Sequence, residues 1–234
     1  MKLAILGAGE SGVGTSILGK QKGYEVFVSD QEIIADKYKK VLLNNDILFE
    51  EGKHTDSNIL DADVVMKSPG IPEKVPLVKQ LKNKGIPVIS EIEFASKYTN
   101  GVIVGITGSN GKTTTTMLVN HILKKENLNV RMGGNIGDSF AKQVAENKYD
   151  IHVLELSSFQ LDGIIDFAPH IAIITNITPD HLDRYDYKFE NYIHSKFRIT
   201  ENQTENDFLI YDADDEVIIK WLKNNKTKAC LLPF

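Results

Sequence analysis

Residues 107–114, TGSNGKTT, bring together the groups that handle a triphosphate. Gly108 and Gly111 let backbone amides approach phosphate oxygens, with Ser109 and Asn110 between them. Lys112 can meet the outer phosphates, and the Thr113 hydroxyl, followed by Thr114, can be offered to magnesium. The spacing is not that of the common GxxxxGK[ST] loop, because Ile106 stands where its first glycine would be. Four consecutive threonines, Thr113 to Thr116, are poor helix formers, so propensity does not account for them. Two apolar runs elsewhere end in polar groups: DIHVLE stops at Glu155, and IAIITN is followed by Asp180 and His181. Carboxylate and imidazole can ligate magnesium beside phosphate, although imidazole is the less usual partner of this hard ion. Lys196 is a different kind of signal. Phe189, Tyr192, Ile193 and Phe197 share one helical face and Lys196 falls on it, so its ammonium either snorkels to solvent or does chemistry.

A second glycine loop opens the chain. Gly7, Gly9 and Gly12 form GxGxxG between the strand-like KLAIL and a helix, and the next strand ends in Asp30, 18 residues beyond the last glycine. That is a Rossmann fingerprint, in which a pyrophosphate sits at the helix amino terminus. Its plain meaning is NAD with Asp30 on a ribose, but the loop alone does not choose between NAD and a uridine diphosphate group. KSPGIP, residues 67–72, sets Ser68, Pro69 and Gly70 at a strand's carboxyl end, either bordering the same crevice or forming a plain turn.

The elements that must position these groups alternate. KLAIL, EVFVS, ADVVM and IPVIS are separated by amphipathic stretches, and a second series, VIVGI, DIHVLEL, HIAIITNI, DFLIYD and KACLLP, comes after KYTNG. The pattern predicts an α/β chain with parallel sheets: a Rossmann-like domain over 1–97, then a domain of P-loop NTPase type over 98–234. In a parallel sheet all carboxyl ends point one way, which brings Glu155, Asp180 and His181 towards the Lys112 loop.

Composition narrows the classes. A net charge of −5 with no basic run argues against nucleic acid, and no apolar stretch is long enough for a membrane span. The amino terminus lacks a signal-peptide core, and the single cysteine, Cys230, excludes an intrachain disulfide; both fit a cytoplasmic protein.

Four blocks together resemble the Mur ligase family: Thr107 to Thr114, Glu155 to Leu161 (ELSSFQL), Asn176 to Arg184 (NITPDHLDR), and GGNIG at 133–137. ELSSFQL is similar to the branch that adds D-glutamate. The resemblance implies ATP-dependent amide formation in peptidoglycan precursor synthesis. The carboxylate of UDP-N-acetylmuramoyl-L-alanine would attack the ATP γ-phosphate, and the amine of D-glutamate would displace phosphate from the acyl phosphate. It implies Lys112, His181 and Lys196 as catalytic residues. Thr113 and Glu155 would hold a first Mg2+, with His181 and a carbamylated Lys196 in a second metal region. The amino-terminal domain would bind the uridine diphosphate through Ser11, Gly12, Asp30 and Gly70, and Asn135, Gln160 and His181 would lie near the muramoyl-alanine. A monomer is the family expectation. Gln31 and Glu32 depart from the Thr and Arg that often come after Asp30 in the family. Such ligases also carry a third, carboxyl-terminal domain, so a chain stopping at LLPF is expected to be a fragment without turnover. The competing readings are a sister ligase, an NAD-dependent oxidoreductase on the first loop, and a nucleotide-sensing module without catalysis.

Overall fold

The computed structural model describes all residues, Met1–Phe234. They form two compact units, Met1–Thr99 with Asp138–Asn147, and Asn100–Gly137 with Lys148–Phe234.

The first unit is built on β1 (Lys2–Leu6), β2 (Glu25–Asp30), β3 (Leu48–Glu51), β4 (Val64–Lys67) and β5 (Val88–Ile89). All pairings are parallel, in the order β3-β2-β1-β4-β5. Leu3 to Leu6 are buried on both faces because β1 is central and helices cover it, which is why KLAIL reads as a continuous apolar run. Ala4 and Leu6 pack with Ile59, Val65, Leu77 and Leu81 in one core cluster. The order reverses between β1 and β4, so the loops after these two strands flank the crevice where open parallel sheets collect ligands. The helix Phe140–Glu146, although distant in sequence, belongs to this unit and packs on the helix Glu10–Gln21.

The second unit carries β6 (Val102–Thr107), β7 (Val130–Gly134), β8 (Ile151–Glu155), β9 (Ile171–Ile174), β10 (Phe208–Tyr211) and β11 (Cys230–Pro233). The order is β11-β10-β9-β6-β8-β7, again all parallel. Val104, Ile106, Val153 and Ile173 pack beneath Val119 and Leu123 of the helix Lys112–Lys125. With β6 between β8 and β9, Ile106 is level with Glu155 and Thr107 with Ile174. The ends of three strands are thereby set side by side.

Two strands depart from the alternation read in the sequence. β3 (LFEE) and β7 (VRMGG) are edge strands, so one side needs no apolar partner and their acidic, basic and glycine residues hide the strand signal. No helix is long and apolar enough to cross a membrane.

Candidate functional site

At the end of β6 the chain turns through Gly108 at φ +144°, where an added Cβ would run into the Thr175 hydroxyl, so only glycine allows the close approach. The loop is clasped from β9's side. Ser109 N donates to Asn176 O at 2.9 Å, Asn110 N to Asn176 Oδ1 at 2.9 Å, and Thr175 Oγ1 to Asn110 O at 2.7 Å. The buried Ser109 hydroxyl donates to Thr178 O at 2.8 Å, accepts from Thr178 N at 2.9 Å and lies 3.2 Å from the Tyr192 hydroxyl. Asp215 secures the far side: Oδ2 accepts from Ile177 N at 2.7 Å, while Oδ1 caps the helix Glu216–Asn224 through Val217 N and Ile218 N. Ser109 and Asn110 spend their amides on this clasp, which fixes the start of the helix Lys112–Lys125, whose opening amides have no intrahelical acceptor and suit a phosphate.

Lys112 folds back over this loop, donating to Gly108 O at 2.8 Å and Ser109 O at 2.9 Å. An ammonium has three donors, which leaves one for a phosphate oxygen. At the next position of the same helix, Thr113 Oγ1 donates to Glu155 Oε2 at 2.7 Å. The other oxygen, Oε1, accepts from Asn135 Nδ2 at 2.7 Å, and Asn135 N donates to Glu155 O at 2.8 Å. Hydroxyl and carboxylate are hard oxygen donors, and magnesium in nucleotide sites takes one or two such groups together with phosphates and water, so the pair fits that ion. No group of three or more His, Cys, Asp or Glu gathers as a metal cage.

Lys196 is 2% exposed, which rules out snorkelling. Its Nζ lies 3.4 Å from the Thr107 hydroxyl and 5.1 Å from the centre of the Tyr192 ring. Burial, then the nearby Lys112 charge, pushes its pKa down to about 7, against the opposing pull of Asp180, Asp162 and Glu155. A fraction of neutral amine at physiological pH is what carbamate formation needs. The helix is also anchored at the residue before: Ser195 Oγ donates to Asp162 Oδ1 at 2.6 Å, and the Tyr185 hydroxyl donates to Asp162 Oδ2 at 2.9 Å.

The remaining expected residues of this unit are less tightly gathered. His181 is exposed in the left-handed region at φ 50°, its ring 5.2 Å from that of Phe159 and its Nε2 3.5 Å from Asp180 Oδ2. It makes no hydrogen bond or ion pair with Thr113, Glu155 or Lys196. Gln160 is buried, its Oε1 accepting from Ser157 N at 2.9 Å in a capping box, so it shapes the ELSSFQL turn. Tyr192, whose hydroxyl meets Ser109 and whose ring faces Lys196, carries no motif of its own. In sequence it reads as one more residue of an apolar face.

In the first unit, Gly12 is required because a Cβ there would collide with the Gly7 carbonyl. The Asp30 carboxylate is turned onto the loop itself: Oδ2 accepts from Ala8 N at 2.6 Å and Oδ1 from Glu32 N at 2.9 Å. Ser68 Oγ stands 3.5 Å from Gly7 O, Ser11 is half-buried on the first turn of the helix Glu10–Gln21, and Gly70 is exposed.

The Mur ligase middle domain matches residues 106–232, and the MurD N-terminal domain matches residues 2–75. UDP-N-acetylmuramoylalanine--D-glutamate ligase of Christiangramia forsetii is 64% identical over 233 residues, covering 100% of this chain and 52% of that protein. The protein of the same name from Bacteroides fragilis is 54% identical with the same coverage. The chain thus spans about half the length of these curated relatives. Among solved structures, UDP-N-acetylmuramate:L-alanyl-gamma-D-glutamyl-meso-diaminopimelate ligase from Neisseria meningitides superposes with a TM-score of 0.67 at 18% identity, over 98% of this chain and 77% of that one. UDP-N-acetylmuramate-alanine ligase from Thermotoga maritima gives 0.58 at 24%, over 93% and 50%. These structures share the fold. With the middle-domain match covering more than half of its residues and a phosphate loop held as described, the chain belongs to the Mur ligase family.

Proposed function

We propose that this chain contributes the nucleotide-sugar-binding and ATP-binding parts of a ligase that joins D-glutamate to UDP-N-acetylmuramoyl-L-alanine through an acyl phosphate. The observation that carries the reading is the set Lys112, Thr113, Glu155 and buried Lys196 around one phosphate cradle. The names of the relatives support the choice of substrates. In this reading Gly108 to Thr114 bind ATP, and Thr113 and Glu155 hold magnesium. The ion supplies charge neutralisation for phosphoryl transfer. Lys112 stabilises charge on the transferring phosphoryl group, and Asn135 orients the Glu155 carboxylate. Lys196, carbamylated, would present an anionic oxygen in place of an ammonium, with His181 beside the substrate. Ser11, Gly12, Asp30 and Gly70 bind the uridine diphosphate, and Asn135, Gln160 and His181 approach the muramoyl-alanine. The expected setting is a cytoplasmic monomer.

The match of residues 2–75 to the MurD N-terminal domain favours a nucleotide-sugar over NAD at the first loop. Calorimetric titration of this chain decides between them. Saturable binding of UDP-N-acetylmuramoyl-L-alanine is expected; saturable NAD binding without any response to the nucleotide-sugar would overturn the proposal.

A further inference from the structure

The ligase chemistry gives Lys67 no role, yet this cation is only 6% exposed at the end of β4, level with Leu6 of β1. Its Nζ reaches across the turn that comes next, donating to Ile71 O at 2.8 Å and pairing with Glu73 Oε1 at 3.0 Å. Glu73 is shared, since its Oε2 lies 2.6 Å from Lys82 Nζ on the helix Pro76–Asn83. Between these ties the chain turns tightly, Ile71 N donating to Ser68 O at 3.1 Å. The same turn leans on the first glycine loop. Ser68 N donates to Leu6 O at 2.9 Å, its hydroxyl stands 3.5 Å from Gly7 O, and a Cβ at Gly7 would collide with that side chain. A buried ion pair is weak support for stability, because apolar side chains of similar volume often serve as well or better. What an ammonium with several donors supplies instead is a fixed shape for the segment it spans.

We propose that Lys67 is a positioning residue for the nucleotide-sugar: its ammonium straps residues 71 and 73 to the end of β4, so that residues 68–71 keep one shape beside the first glycine loop. The inference rests on the nucleotide-sugar reading of that loop. β1 and β4 flank the point where the strand order reverses, so the loops after both border the crevice where a ligand of this sheet is held. Within the turn, Gly70 is exposed and nothing lies within 4 Å of where its Cβ would be, so its own packing does not fix the backbone there. A turn free to move has to be ordered when the ligand binds, and that cost comes off the affinity. A strapped turn is ordered beforehand. Lys82, paired with the other Glu73 oxygen, steadies the carboxylate that Lys67 grips.

The test is the affinity of this chain for UDP-N-acetylmuramoyl-L-alanine, with ATP affinity, Tm and hydrogen exchange at the Ile71 amide measured alongside. Lys67→Met keeps an unbranched stem and removes the donors and the charge. It is expected to weaken the nucleotide-sugar about tenfold and to speed exchange at Ile71, with ATP affinity within about twofold of the parent. Glu73→Gln leaves the tether to Ile71 and removes the ion pair, and is expected to weaken binding about threefold. A folded Lys67→Met with parental nucleotide-sugar affinity would overturn the inference, whatever its Tm, because a merely structural lysine behaves in that way. An equal loss of ATP affinity would overturn it too. Should Lys67→Met not fold, Glu73→Gln decides, and parental affinity in that variant would overturn the inference. No binding by the parent chain would count against the nucleotide-sugar reading itself.

Discussion

At the scale of single residues, the second unit buries two basic side chains, and burial lowers the pKa of both. For Lys196 the nearby Lys112 charge adds to burial and Asp180, Asp162 and Glu155 oppose it, whereas the His152 pKa is lowered by burial. Under the proposed ligase function, Lys196→Ala in the full-length protein is expected to abolish turnover, with activity restored in part by a short carboxylic acid that takes the place of the proposed carbamate. Unchanged steady-state rates would return Lys196 to a packing role. His152 is 1% exposed and its pKa falls to about 4 from 6.5. Between these values the unfolded chain holds the proton and the folded chain does not, so stability falls as pH drops through about 6.5 towards 4 and levels off below that. The loss attributable to this group is at most about 3 kcal/mol. Urea denaturation of His152→Leu across pH 4 to 7 should show a shallower acid slope than the parent; equal slopes would assign the loss to other groups.

At the scale of elements, the phosphate loop is held by residues 175–178 at the end of β9, and that segment is held by Asp215. Asp215→Ala removes an N-cap and the Ile177 anchor together, and is expected to cost about 1–2 kcal/mol in chemical denaturation. Because residues 176–178 clasp Ser109 and Asn110, ATP affinity should fall severalfold in the same variant. A variant with reduced stability but parental ATP affinity would show that the clasp tolerates a loose support. The clasp is partly legible in the sequence: NITPDH comes directly after a strand, and turn residues after a parallel strand point to the ligand end. Its use of Asn176 Oδ1 as an acceptor for the loop is not legible there, because that pairing depends on β9 lying next to β6.

At the scale of the molecule, a chain spanning about half the length of its relatives is expected to bind ATP and the nucleotide-sugar separately and to release no phosphate when D-glutamate is added. Phosphate release dependent on both acceptor and nucleotide-sugar from this polypeptide would contradict that expectation.

The sequence by itself determined the two glycine loops, the alternation of strands and helices, and the presence of Lys112, Thr113, Glu155 and Lys196 as reactive types. These signals are local, since a glycine at positive φ, an apolar strand and the start of a helix are written in adjacent residues. Only the tertiary structure decided that Asn135 pairs with Glu155, that Lys196 turns inward beside Thr107, that Asp30 closes on its own loop, and that residues 138–147 join the first unit around Glu91. Each of these depends on strand order and crossover, which bring together groups tens of residues apart. No period in the sequence encodes that proximity.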